Sequence, residues 1–178
     1  MIVGPSSLKR ECSLLQFRCC GELIRVVDHY RYLGITFQSS LSFHRHIMDT
    51  IKVAKRATGR LNYCFARHSG LRPRTRIHLW NTLVRPILEY GMGLISPILP
   101  QYLKNQLQSI QTQFLRETLR ARNQPLYFLL SECGQEDLQA RWDKALMSLL
   151  NRIRQQPDES ICQRIYYSLP WIRQMLFV

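Results

Sequence analysis

The feature that most constrains this chain is a change of hydrophobic period just after Phe37. In the stretch HYRYLGITFQSSLSFHRHI, residues 29–47, aromatic and β-branched residues crowd the first half, as they do in strands. Beyond Phe37 the apolar residues Phe43, Ile47, Ile51, Ala54, Leu61 and Phe65 recur at intervals of three, four and seven. At about 100° per residue they form one stripe of a helix running to about residue 67, with Ser40 or Ser42 as its cap. Arg45, Lys52, Arg56, Arg60 and Arg67 fall on the opposite face, interrupted by Asp49. Such a helix must lay its stripe on a core and turn a row of cations outward.

The elements on either side follow from the same periods. Residues 14–19 and 22–27 read as strands flanking Cys20-Gly21, a two-residue hairpin turn. Residues 30–37 read as a third strand, with Gly34 marking a bulge or the close approach of another backbone. Gly70 ends the basic helix and Pro73 opens the next, which buries Ile77, Trp80, Val84 and Ile87 and is kinked or ended by Pro86. A third helix over about 102–120 buries Leu103, Leu107, Ile110 and Phe114, and a fourth over about 135–154 buries Leu138, Trp142, Leu146, Leu149 and Ile153. Pro157 ends the fourth, and Asp158 caps a last helix. The expected fold is α+β, a small antiparallel β element of a hairpin plus a strand followed by a mostly helical bundle. Its divisions are expected at 1–39, 40–122 and 123–178.

Charge narrows the function. Among 178 residues, 25 are Lys or Arg and 12 are Asp or Glu, a net charge of +13. This excess favours a polyanionic partner. It is concentrated between residues 43 and 85, where Asp49 is the single acid beside Arg45, Lys52, Lys55, Arg56, Arg60, Arg67, Arg72, Arg74, Arg76 and Arg85. Solvated helix faces usually mix signs, so a row without interleaved acids points to phosphate. Arginines along a helix and in the turn after it can meet successive phosphates, each contact releasing counterions, and Tyr63 beside them can stack on a sugar or base. The expected nucleic-acid contacts are Arg45, Lys52, Arg56, Arg60, Arg67, Arg72, Arg74 and Arg76.

Other chemistries find less support. No segment reaches the ~18 apolar residues of a membrane span, and the first residues carry no secretory pattern. The six cysteines include no Cys-x-x-Cys pair, so reduced, mostly buried thiols in an intracellular protein are expected. His44 and His46 with Cys64 and His68 look like a zinc set, but two histidines at i and i+2 leave a helix in different directions. Glu136-Asp137 and Asp158-Glu159 sit at expected helix starts, where capping accounts for them. Glu11, Glu22 and Asp28 make no paired motif for two-metal catalysis.

The order of these elements resembles a known family. VVDHYRYLGITFQSSLSFHRHI, then a basic helix, then LWNTLVRPILEYG and LQSIQTQFLR, is similar to the C-terminal part of the reverse transcriptase of non-LTR, LINE-type retrotransposons. The motif residues are Tyr32-Leu33-Gly34, His46-Ile47 and the run from Leu83 to Gly91. The resemblance covers about 14–120, and LLSECGQEDLQAR is more weakly similar to a later segment. It implies that 1–39 ends the palm, that Cys20, Gly21 and Glu22 match the primer grip, and that the helices from Phe43 are the thumb closing on the template–primer duplex. The family's catalytic aspartates would precede Met1, together with the missing palm and fingers. The chain is therefore expected to be a fragment of an RNA-directed DNA polymerase, inactive alone and without a cofactor, Mg²⁺ belonging to the full-length parent. Nuclear and cytoplasmic localisation follows by the same resemblance, with RNA–DNA or DNA duplex as partner. Two other readings remain: a domesticated helical adaptor that binds protein without a nucleic-acid function, and a membrane-surface protein using RIYYSLPWIRQMLFV as an amphipathic tail, which Pro170 interrupts.

Overall fold

The computed structural model describes residues 18–23, 27–40, 42–67, 70–157 and 160–161. The expected strand residues at 14–17 and 24–26, the helix capped by Asp158 and the tail beyond it lie outside the described residues. What is described is α+β: two small antiparallel hairpins followed by a helical bundle.

Strands β1 (Arg18–Cys19) and β2 (Glu22–Leu23) pair antiparallel around Cys20 and Gly21. Both turn residues have positive φ, 51° and 87°, the signature of a type I′ turn. The next hairpin was not foreseen. The stretch expected to be one strand over 30–37 is folded in two, β3 (His29–Tyr32) pairing antiparallel with β4 (Ile35–Gln38). Leu33 at φ 47° and Gly34 at φ 81° make the same kind of turn. Gly34 is thus a turn residue rather than a bulge, because two successive left-handed residues reverse the chain.

Helix α1 (His44–Arg67) begins where the period changes. Its start is tied to the strand before it: the Arg45 backbone N–H donates to Gln38 Oε1 at 3.0 Å. A side chain of β4 thus satisfies one of the orphan donors of the first turn. The Phe37 and Phe43 rings meet edge to face at 5.6 Å across the same junction. Helices α2 (Pro73–Leu83) and α3 (Arg85–Glu89) are separated at Val84. Pro86 causes the break, since it offers no N–H and its ring would crowd the carbonyl one turn earlier.

The apolar run at 92–99 forms α4 (Met92–Ile95) and a 3-10 turn (Ser96–Ile98), and α5 (Gln101–Leu119) follows. Helix α6 (Leu126–Cys133) went unread in the sequence, and α7 (Leu138–Arg154) begins three residues later than expected. Gly134 at φ 57° separates the two, and Asp137 caps α7, its Oδ2 accepting from the Gln139 N–H at 3.0 Å.

One core joins these helices. Ile47, Ala54, Val84, Leu88, Met92, Leu107, Phe114, Leu129 and Leu138 are fully buried within it. Trp80 of α2 stacks on Phe114 of α5 with ring centroids 5.2 Å apart. Each fully buried Ile, Val, Leu, Met or Phe among them contributes about 1.5–3 kcal/mol by leaving water. Polar clasps fix the C-terminal helices. Gln111, almost wholly buried, donates to the Glu136 carbonyl at 3.1 Å, and Gln108 accepts from the Leu138 N–H at 3.1 Å. Glu89 of α3 receives the Arg141 guanidinium of α7 and lies 3.6 Å from Arg85. This pairing raises the Arg141 pKa above its ordinary value, the hydrogen bond to Glu89 being the largest cause.

Candidate nucleic-acid interface

The apolar stripe decides where the cations of α1 point. Ile47, Ile51, Ala54 and Phe65 are buried against the bundle. With that side fixed, Arg45, Lys52, Arg56, Arg60 and Arg67 are all exposed, within an arc of roughly 80° at ~100° per residue. Tyr63 lies in the same arc and is 59% exposed. The Arg67 guanidinium sits 4.8 Å from the centre of its ring, a cation–π pair that leaves an aromatic face and a charge side by side. Lys52 lies 3.5 Å from Asp49, one turn back, an exposed pair of small energetic consequence.

The other expected contacts separate from this row. Arg72 and Arg74 are exposed where α2 begins, Arg74 beside a groove shared with Ile77, Leu119 and Glu132. Arg76 is half-buried. Its guanidinium covers the Phe65 ring at 5.3 Å, so it packs α2 onto α1. Cys20, Gly21 and Glu22 are exposed at the tip of β1–β2, in a different sheet from β3–β4.

Several neighbours of the row were missed by sequence reasoning. A cleft of about 470 Å³ separates the β3–β4 hairpin from the first half of α1, and Arg31, His46, Asp49, Lys52, Arg56 and Tyr90 help to line it. Arg31 could have been found from strand alternation, since it faces away from Tyr30 and Tyr32. Tyr90 could not, because it arrives from the end of α3. Its hydroxyl donates to the Leu33 carbonyl at 2.5 Å and its ring packs on Gly34. A second basic surface gathers Arg116, Arg120 and Arg122 around Glu117 at the end of α5, beside α1 through the 2.5 Å hydrogen bond from Asn62 to Glu117.

The histidines and cysteines take other roles than a metal set. His44 is exposed while His46 is buried, and His46 Nδ1 accepts from the Thr36 N–H at 3.5 Å. Burial lowers the His46 pKa below its ordinary 6.5, Arg31 lowers it further, and Asp49 partly opposes them. Among the described residues no three His, Cys, Asp or Glu side chains gather as metal ligands, and no helix is long and apolar enough to cross a membrane. Cys20 and Cys64 are exposed rather than buried, and Cys133 is half-buried. Burial pushes the Cys133 thiol up, with Glu132 adding to it.

Comparison with known proteins supports the resemblance seen in the sequence. The chain is 28% identical over 96 residues to the RNA-directed DNA polymerase from mobile element jockey of Drosophila melanogaster, and 25% identical over 97 residues to that of Drosophila funebris. Each match covers 54% of this chain and 10% of the relative, so the chain corresponds to a small part of those proteins. No protein-family model matches it, and no solved structure matches it. About half of the chain is thus a region related to retrotransposon reverse transcriptase.

Proposed function

We propose that this chain is the thumb-side segment of a non-LTR retrotransposon RNA-directed DNA polymerase, and that α1 holds the template–primer duplex by its phosphates. The observation that carries this reading is the exposed row Arg45, Lys52, Arg56, Arg60 and Arg67, with Tyr63 among them and Asp49 as the one acid of the helix. Cations spaced by helical turns along about 35 Å suit a backbone that repeats its charge at short intervals. The relatives are RNA-directed DNA polymerases, which work on such a duplex. Holding rather than chemistry is the role assigned to this segment. Three of its carboxylates among the described residues serve structure: Glu89 pairs with Arg141, Glu136 with Lys144, and Asp137 caps α7. Polymerisation would draw its aspartates and Mg²⁺ from the rest of the parent enzyme.

The test is the salt dependence of binding to an RNA–DNA hybrid. Lys52→Ala/Arg56→Ala/Arg60→Ala removes three exposed cations without touching the stripe. The log–log slope should become shallower by about two to three units, equally for different sequences, with unchanged circular dichroism. Equal slopes in both proteins would leave this face as ordinary solvated helix surface. The adaptor reading draws on Tyr30, Tyr32 and Leu33, which are 56%, 59% and 71% exposed on the β3–β4 hairpin. It expects the triple variant to keep every binding property of the parent chain.

A further inference from the structure

We infer that the cleft between the β3–β4 hairpin and the first half of α1 is a phosphate-binding site, and that it seats one phosphate of the nucleic-acid backbone. Three cations reach it from two elements, Arg31 from β3 and Lys52 and Arg56 from α1. Among the described residues Asp49 is the one carboxylate that lines it, and it already lies 3.5 Å from Lys52. Lys52 and Arg56 stand one helical turn apart, about 6 Å, and Arg31 faces them from across the cleft. Cations from opposite walls can surround a phosphate, as a single helix face cannot.

The site is held open before any ligand arrives. Tyr90, which itself lines the cleft, fixes the hairpin through its hydrogen bond to the Leu33 carbonyl. His46 of α1 fixes it by accepting from the Thr36 N–H. That hydrogen bond leaves the ring proton of the neutral imidazole on Nε2, a donor rather than an acceptor. The walls that carry Arg31, Lys52 and Arg56 are therefore fixed by contacts that involve no ligand, which lowers the ordering cost of binding.

This inference rests on the reading that α1 meets phosphate, and two sets of variants separate them. Arg31→Ala and Asp49→Asn alter exposed residues of the cleft. Arg60→Ala/Arg67→Ala alters the row beyond it. The probes are inorganic pyrophosphate, followed by calorimetry and by the His46 ring signals in NMR, and an RNA–DNA hybrid. The expected result is that Arg31→Ala weakens both probes by roughly tenfold, as for one charged contact. Asp49→Asn should tighten both, and Arg60→Ala/Arg67→Ala should weaken the hybrid alone. Pyrophosphate binding that needs Arg31, with hybrid binding indifferent to it, would overturn the nucleic-acid occupant in favour of a free phosphate. An Arg31→Ala protein that binds both probes as the parent does would overturn the site. In that case a weakened Arg60→Ala/Arg67→Ala protein would still leave the α1 reading standing.

Discussion

A single glycine shows how closely the joint between hairpin and bundle is specified. Gly34 has φ 81°, and a Cβ placed on it would lie 3.1 Å from the Tyr90 ring. Two penalties act together there, left-handed backbone strain and a clash with an aromatic side chain that is itself tethered to Leu33. Gly34→Val should cost about 1–3 kcal/mol, read as a clear fall in the thermal midpoint. An unchanged midpoint would mean that the hairpin turn does not pack against Tyr90. Gly21 shares the positive φ, but none of the described residues lies within 4 Å of a Cβ at its position, so among them only the strain would be felt.

Among the elements, α4 and α7 meet with unusual closeness. A Cβ on Gly93 would stand 3.1 Å from the Ala145 Cβ and 3.2 Å from the Leu146 backbone nitrogen. Backbone cannot step aside as a flexible side chain can. Gly93→Val should therefore force the two helices apart at about 1–3 kcal/mol. Gly59, in the middle of α1, has none of the described residues within 4 Å of such an atom. Gly59→Ala should act in the other direction, stabilising by about 0.4–1 kcal/mol through lost freedom of the unfolded chain. Urea unfolding of both proteins checks the pair of signs, and a stabilised Gly93→Val protein would refute the close helix contact.

For the whole molecule, the hairpin and the bundle are joined partly through a titratable group. His46 is buried between them, with a pKa below 6.5 because burial and Arg31 disfavour its cation. Arg31 from the hairpin and Asp49, Lys52 and Arg56 from α1 share its cleft with Tyr90. With the folded pKa depressed, the unfolded chain binds more protons as acidity rises. Stability should be full above pH 6.5 and fall as pH drops through that value toward the lowered folded one. Thermal midpoints between pH 8 and 5 measure it, and His46→Gln should flatten the decline relative to the parent. An equal decline in both proteins would assign the acid sensitivity to other groups.

What the sequence by itself determined is the part governed by short-range pattern. The i, i+3, i+4 spacing from Phe43 to Phe65 located α1 and turned its cations outward, because burial of one stripe leaves no choice for the other face. Pro86 marked the break at Val84, the pair Glu136-Asp137 a helix start, and Cys20-Gly21 a hairpin turn, each through local backbone chemistry. The kinship with retrotransposon reverse transcriptases was also legible, since motifs survive in order along the chain. What only the tertiary structure decided depends on residues far apart. Leu33-Gly34 reads as strand interior until Tyr90 arrives to hold the turn. Gln38 becomes the partner of Arg45 only when β4 lies against the helix start. Arg76, indistinguishable in sequence from Arg72 and Arg74, is drawn down onto Phe65 by the packing of α2 on α1. The cleft of Arg31, Lys52 and Arg56 belongs to this second class, because no spacing along one element can place charges on two facing walls.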